Sequence, residues 1–306
     1  MPPIDLAQAS GVEVPNPIVR PPLETQPVNP PEHASDLGAV RPDAVARQLF
    51  GGAPTPAPLE TRSIGSYARG CLAGAVPLAV DGPAWQAMRL SRNRNWGHPA
   101  LIDYLQALAN AGRAHDGWNG LLVGDLSQPR GGPMLTGHRS HQIGLDADIW
   151  LTPMPERTLT RQEREDISAI SMLRDGTRTI DPSRWSDAHA RIIRRAALDD
   201  RVARIFVHPA IKSQLCDWAS GDRTWLRRIR PWYGHHYHFH IRLSCPPGMA
   251  GCENQDPPPA GDGCGDELAW WLGPEPWAPS DTPARPRRET TLADLPAACS
   301  RVIIAN

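Results

Sequence analysis

Lysine is almost missing from this chain: Lys212 is the only one among 306 residues. That scarcity removes the Ser-x-x-Lys element of penicillin-binding serine enzymes, and no Gly-x-Ser-x-Gly elbow occurs, so serine chemistry finds no support. There is no charge excess either. A formal net charge of −1 gives no global field steering the protein to nucleic acid or an anionic membrane. The Arg-rich runs from Arg191 to Arg204 and from Arg223 to Arg230 read as solvated helix faces. No window approaches the ~20 apolar residues that a transmembrane span requires. The start, Met1-Pro2-Pro3-Ile4-Asp5, lacks the charged and apolar regions of a signal peptide, so for an exported protein the leader peptide is absent from this chain. No C-x-x-C pair occurs, which argues against a cysteine-bound structural zinc, and there is no internal repeat.

Six cysteines are present, at 71, 216, 245, 252, 264 and 299. An even number without knuckle spacing reads as three disulfides in an oxidising compartment, with buried free thiols as the alternative. Cys245 and Cys252 look like a local closure, and Cys299 lies where it would pin the tail. Residues 1–60 hold 13 of the 34 prolines and little periodic hydrophobicity, which reads as a Pro-rich N-terminal arm. Residues 61–272 read as the folded domain, and 273–306 as a Pro-rich C-terminal tail whose prolines run from Pro274 to Pro286.

Within the domain, Pro99 to Asn110 predicts a helix, with Pro in its first turn, an apolar stripe of Leu101, Ile102, Leu105 and Leu108, and Gly112 as a stop. Thr160-Arg161-Gln162-Glu163 is a capping box opening a helix through Leu173. Ser186 caps another to about Leu198, and Pro209 begins one ending near Trp218. A short helix from Pro42 to Phe50 interrupts the arm. Leu121 to Asp125 and Ala203 to Val207 read as short strands. Leu145 to Leu151 and His236 to Leu243 alternate as strands do, the second with Tyr237, Phe239, Ile241 and Leu243 on one face and His236, His238, His240 and Arg242 on the other. Helices and strands in no regular order predict an α+β fold, a small central antiparallel sheet flanked by helices, with Pro-rich terminal extensions.

The chemistry sits in Gly137-His138-Arg139-Ser140-His141-Gln142-Ile143-Gly144-Leu145-Asp146-Ala147-Asp148, answered by His238-Phe239-His240. His141, Asp148 and His240 supply three ligands of the kind a catalytic zinc uses, and three protein ligands leave one position for water. His238, ~7 Å along the strand from His240, is placed to be a general base and acid instead. A lone strand histidine is ordinarily a hydrogen-bonded surface or core residue, and His-x-His by itself is weak in a chain with 11 histidines. The combination of His-x6-Asp on one strand and His-x-His on another is what points to a metal.

With Gly97-His98-Pro99, Gly124-Asp125-Leu126 and Trp232-Tyr233-Gly234-His235-His236-Tyr237-His238-Phe239-His240-Ile241-Arg242, these segments resemble the penicillin-insensitive murein endopeptidases, of the group that includes lysostaphin-type enzymes, D-Ala-D-Ala metallopeptidases and hedgehog domains. The likeness spans about residues 62 to 270, with Cys299 as an extension. It implies a periplasmic zinc peptidase cutting cross-linked peptides of peptidoglycan, chiefly at the D-alanyl–meso-diaminopimelyl bond. It implies His141, Asp148 and His240 as zinc ligands with His138 near the same metal, His238 as base, and His235 as a supporting or transition-state residue. It also implies the pairs Cys71–Cys299, Cys216–Cys264 and Cys245–Cys252. One departure concerns relatives that carry Asp-Gly-x-His as part of a peripheral metal at a subunit contact. This chain reads Asp175-Gly176-Thr177-Arg178, which puts that metal and any dimer built on it in doubt and leaves the oligomeric state open. The competing functions are a D,D-carboxypeptidase on cell-wall peptides, a zinc-containing binding module without catalysis, and a secreted disulfide scaffold with structural zinc.

Overall fold

In the computed structural model, residues 40–279 and 288–306 are described, so the first part of the Pro-rich arm and most of the Pro274–Pro286 stretch lie outside the described residues. The strands are β1 (Arg62–Ser66), β2 (Arg69–Ala73), β3 (Val76–Pro77), β4 (Asp81–Gly82), β5 (Trp85–Ala87), β6 (Trp96–Gly97), β7 (Leu121–Val123), β8 (Asp146–Trp150), β9 (Val202–Val207), β10 (Ile229–Pro231) and β11 (His238–Leu243). The α-helices are α1 (Ala46–Gly51), α2 (Pro99–His115), α3 (Arg161–Asp166), α4 (Asp187–Leu198), α5 (Pro209–Trp218), α6 (Asp266–Leu272) and α7 (Ala298–Ile304).

The α+β class holds, and the sheet is larger than the alternation predicts. Seven strands lie in the order β10-β9-β11-β8-β7-β5-β4. The central β9, β11, β8 and β7 are antiparallel, whereas β10 joins β9 and β5 joins β7 in parallel. β7 lies where the sequence predicts a strand, whereas β5 and β10 contribute three residues each and β4 two, too few for a period of two to declare itself.

One face of this sheet makes the main core. Ala147 and Ile149 of β8, Phe239, Ile241 and Leu243 of β11, and Ile205 and Val207 of β9 join Leu101, Leu105 and Leu108 of α2 and Ile192 and Ile193 of α4. The capping box and the proline-initiated helices form as read. Three helix boundaries differ. α1 begins at Ala46 and not at Pro42. α2 runs through Gly112 to His115, because Gly112 is a contact and not a stop: a Cβ there would lie 2.5 Å from Ile192 Cδ1. α3 ends at Asp166, after which the chain extends toward β11, and the Met172 N–H donates to the His236 carbonyl at 2.8 Å.

Beyond the main core, Phe50 of α1 is buried with Ile64, Cys71, Leu292, Cys299 and Val302. Arg130 reinforces that union, donating to the carbonyls of Thr55, Val302 and Ile303. All three implied disulfides are formed: Cys71–Cys299, Cys216–Cys264 and Cys245–Cys252. The sole lysine is structural. Lys212 is fully buried on α5 and its Nζ donates to the Leu226 and Asp262 carbonyls at 2.7 and 2.5 Å. Among the described residues, no helix is long and apolar enough to cross a membrane.

Candidate active site

The pairing of β8 with β11 puts His240 directly opposite Asp148 and Arg242 opposite Asp146. Both pairs occupy the face away from the main core, so the sheet that buries its apolar residues also concentrates imidazole and carboxylate on the other side. The loop entering β8 supplies the remaining groups. His141 takes a left-handed backbone, φ 67°, which is costly for a residue with a Cβ. Its N–H donates to Asp146 Oδ2 at 2.9 Å, which helps to hold that conformation. Gly144 follows at φ 72° because a Cβ there would lie 2.5 Å from Leu72 and 2.9 Å from the His98 nitrogen. Its role is close passage beneath β2.

His138, His141 and Asp148 can each offer one ligand atom within 4.8 Å of the others. His141 Nε2 is 3.5 Å from Asp148 Oδ1, and His138 Nε2 is 3.5 Å from Asp148 Oδ2. His240 meets the same carboxylate through Nδ1, 3.1 Å from Oδ1. His238 also reaches it, with Nε2 at 3.6 Å from Oδ1. His235 stands behind His238, ring centres 4.8 Å apart, and its Nδ1 lies 2.6 Å from the Tyr233 carbonyl.

Hydrogen bonds set the tautomers. His240 Nε2 lies 3.0 Å from Asp146 Oδ1, and His138 Nε2 lies 3.0 Å from Asp125 Oδ2. A carboxylate only accepts, so each Nε2 carries a proton; His240 Nδ1 faces a second carboxylate, Asp148, and against burial Asp146 and Asp148 together raise the pKa of that ring. Asp146 is in turn held by Arg242 Nε at 2.8 Å, and Asp125 by Arg94 and Arg92 at 2.8 and 3.0 Å. Asp125, Asp146 and Arg242 carry no role in the sequence reading. The available signals were Asp146 on the polar face with Asp148 and Arg242 two residues after His240.

Burial alone would raise the pKa of Asp148, but the imidazoles of His238, His141 and His138 outweigh it and hold the carboxylate well below its ordinary 3.8. Asp146 behaves likewise, burial being overcome by Arg242 and His240. Burial pushes His238 down to about 4, against the pull of Asp148, and pushes His235 down to about 3. Both are neutral near pH 7.

Both ring nitrogens of His141, Asp148 Oδ1 and His238 Nδ1 are buried without a hydrogen-bond partner in the protein. Each such group ordinarily costs ~1–3 kcal/mol. Several at one point fit a divalent metal bound by nitrogen and oxygen. The cluster opens on a cleft of about 320 Å³ lined in part by Arg89, Arg92, Trp150, Ser168 and Tyr237. A larger cavity, about 960 Å³, lies elsewhere, and its arginines Arg223, Arg227 and Arg228 donate to backbone carbonyls. At the position of the departure from relatives, Asp175 pairs with Arg184 at 2.9 Å, and Arg178 lies over Trp277.

A peptidase is the class that this assembly and its relatives define. The sequence profile described as penicillin-insensitive murein endopeptidase matches residues 63–304, reaching past the Pro-rich stretch into α7. A penicillin-insensitive murein endopeptidase of Haemophilus influenzae is 47% identical over 224 residues, 73% of this chain and 77% of its own length. Proteins of the same name from Klebsiella pneumoniae and Salmonella arizonae are each 42% identical, the first over 79% of this chain and 86% of itself, the second over 81% and 88%. The chain belongs to the penicillin-insensitive murein endopeptidase family.

Proposed function

We propose that this protein is a zinc-dependent murein endopeptidase that hydrolyses D-alanyl–meso-diaminopimelyl cross-links of peptidoglycan in the periplasm. The observation that carries the reading is the buried, unpartnered pair of His141, in the loop entering β8, and Asp148, on the polar face of the sheet. His141, Asp148 and His240 would hold the zinc, with His138 beside them. Bound there, zinc supplies Lewis acidity that polarises an amide carbonyl and makes water acidic enough to ionise near neutral pH.

His238 moves the proton. It is neutral at physiological pH because burial lowers its pKa to about 4, so it can accept a proton from the attacking water and deliver it to the departing amine. His235 lies beside it, ring centres 4.8 Å apart, and with Nδ1–H held by the Tyr233 carbonyl its neutral ring presents an unprotonated Nε2. Three disulfides match an oxidising compartment, which supports the periplasm as the place of action.

The test is mass spectrometry of cross-linked muropeptide dimers after incubation with zinc-loaded protein. Conversion to monomers that a chelator abolishes is the expected result. Intact dimers would remove the endopeptidase reading. Loss of terminal D-alanine alone would assign a D,D-carboxypeptidase instead.

A further inference from the structure

A row of aromatic rings leads away from His235, and none of them has a part in the hydrolysis. Phe206 lies 6.1 Å from His235 and Trp232 lies 6.1 Å from Phe206, measured between ring centres. Trp271 is 5.8 Å from Trp232, Tyr233 is 4.9 Å from Trp271, and Trp270 is 5.2 Å from Trp271. Exposed aromatic rings of this size in one patch mark a binding surface more often than scattered surface hydrophobes do. Trp232 is 50% exposed, Trp270 48% and Tyr233 41%. The ledge is also pinned. The Tyr233 hydroxyl donates to the Pro276 carbonyl at 2.7 Å, and the Trp277 indole donates to the Trp271 carbonyl at 3.0 Å. Cys216–Cys264 ties the start of α6 to α5.

Charge narrows the occupant. The segment 266–277 carries Asp266, Glu267 and Glu275 and no lysine or arginine, and the cations packed on it are Arg230, which pairs with Glu267, and Arg178, over Trp277. That leaves no positive excess to hold an anionic lipid surface or the carboxylates of a stem peptide. A neutral partner with flat apolar faces fits. A β-linked 2-acetamido sugar strand is such a partner, because its equatorial substituents leave axial C–H groups across each ring face.

We propose that this ledge binds the glycan strand of murein, stacking pyranose rings on Trp232, Tyr233 and Trp270 and so delivering the attached cross-link to the His235–His238 end of the cleft. The inference rests on the murein reading above. The experiment compares dimers that carry disaccharides with the same dimers after amidase has removed the sugars. The wild-type protein should show a KM about tenfold lower for the sugar-bearing dimers. Trp270→Ala should remove about fivefold or more of that advantage, with kcat within about twofold and KM for sugar-free dimers unchanged, and Trp270→Phe should restore it. Equal KM values for the two substrates, or an equal rise for both in Trp270→Ala, would overturn the proposal.

Tryptophan fluorescence with uncross-linked glycan strands decides the matter apart from catalysis. Strand binding that weakens in Trp270→Ala supports the ledge even if neither dimer is cleaved, an outcome that would count against the murein hydrolysis alone. Binding to anionic vesicles and not to strands would assign the surface to a membrane and overturn the proposal.

Discussion

His98 and His208 stand at the starts of α2 and α5, each followed by Pro-Ala, and each Nδ1 accepts a hydrogen bond from the alanine N–H at 3.1 Å. His141, in the loop entering β8, and His238, on the polar face of β11, are just as buried, yet three of their four ring nitrogens lack any hydrogen-bond partner in the protein. Residue type and burial are the same in the two regions, and burial brings His208 of the one and His238 of the other alike down to about 4. What differs is hydrogen-bond demand. At the helix starts each Nδ1 is met by the backbone, and at the β8–β11 site the demand is left open for something the protein does not itself supply. A depressed imidazole pKa therefore does not mark chemistry in this molecule, whereas unmet polar demand does.

The largest effect should come from removing the shared carboxylate. Asp148→Asn is expected to lose bound metal and to leave muropeptide cleavage at background, with chelation of the wild-type protein giving the same result. Activity surviving either treatment would break the contrast. Next, His238→Ala should keep its metal, measured by elemental analysis, while kcat falls by ~100- to 10,000-fold. An unchanged kcat would return His238 to the structural class of His98 and His208.

Asp146→Asn should weaken metal binding or activity by ~10- to 100-fold, since it takes the anionic hydrogen-bond partner from His240. The same carboxylate gives an acid signature. Folding lowers the pKa of Asp146 and Asp125, burial being outweighed by Arg242 and His240 at the first and by His138, Arg92 and Arg94 at the second. The folded protein therefore binds fewer protons than the unfolded chain, and stability present above about pH 4 drains as the pH falls. Thermal melts of the metal-free protein should show that loss, with a shallower pH dependence in Asp146→Asn. Equal slopes would mean that Asp146 is not held as an anion. The smallest effect belongs to a helix start. His208→Ala should cost about 1 kcal/mol of stability with kcat within about twofold.

Much of this site was legible because strands write their faces into every second residue. His238, His240 and Arg242 on one strand and Asp146 and Asp148 on its partner needed only the correct register to meet, and β8 and β11 are immediate neighbours. The supporting carboxylates were harder to see. Asp125 lies just beyond the three-residue β7, and its value comes from Arg92, Arg94 and His138 converging through loops that carry no period. Gly112 misled for a similar reason: a glycine inside a helix and one that ends it look alike until Ile192 is seen against it. Phe50 and Val302 share a small core that neither Pro-rich flank announces, because burial there depends on segments far apart in sequence.

Anomalous diffraction recorded at the zinc edge from crystals of the purified protein tests the central claim most directly. One strong peak touching the side chains of His141, Asp148 and His240, with a solvent molecule completing its coordination, is the predicted result. A peak elsewhere, or one enclosed on all sides by protein atoms, would contradict it.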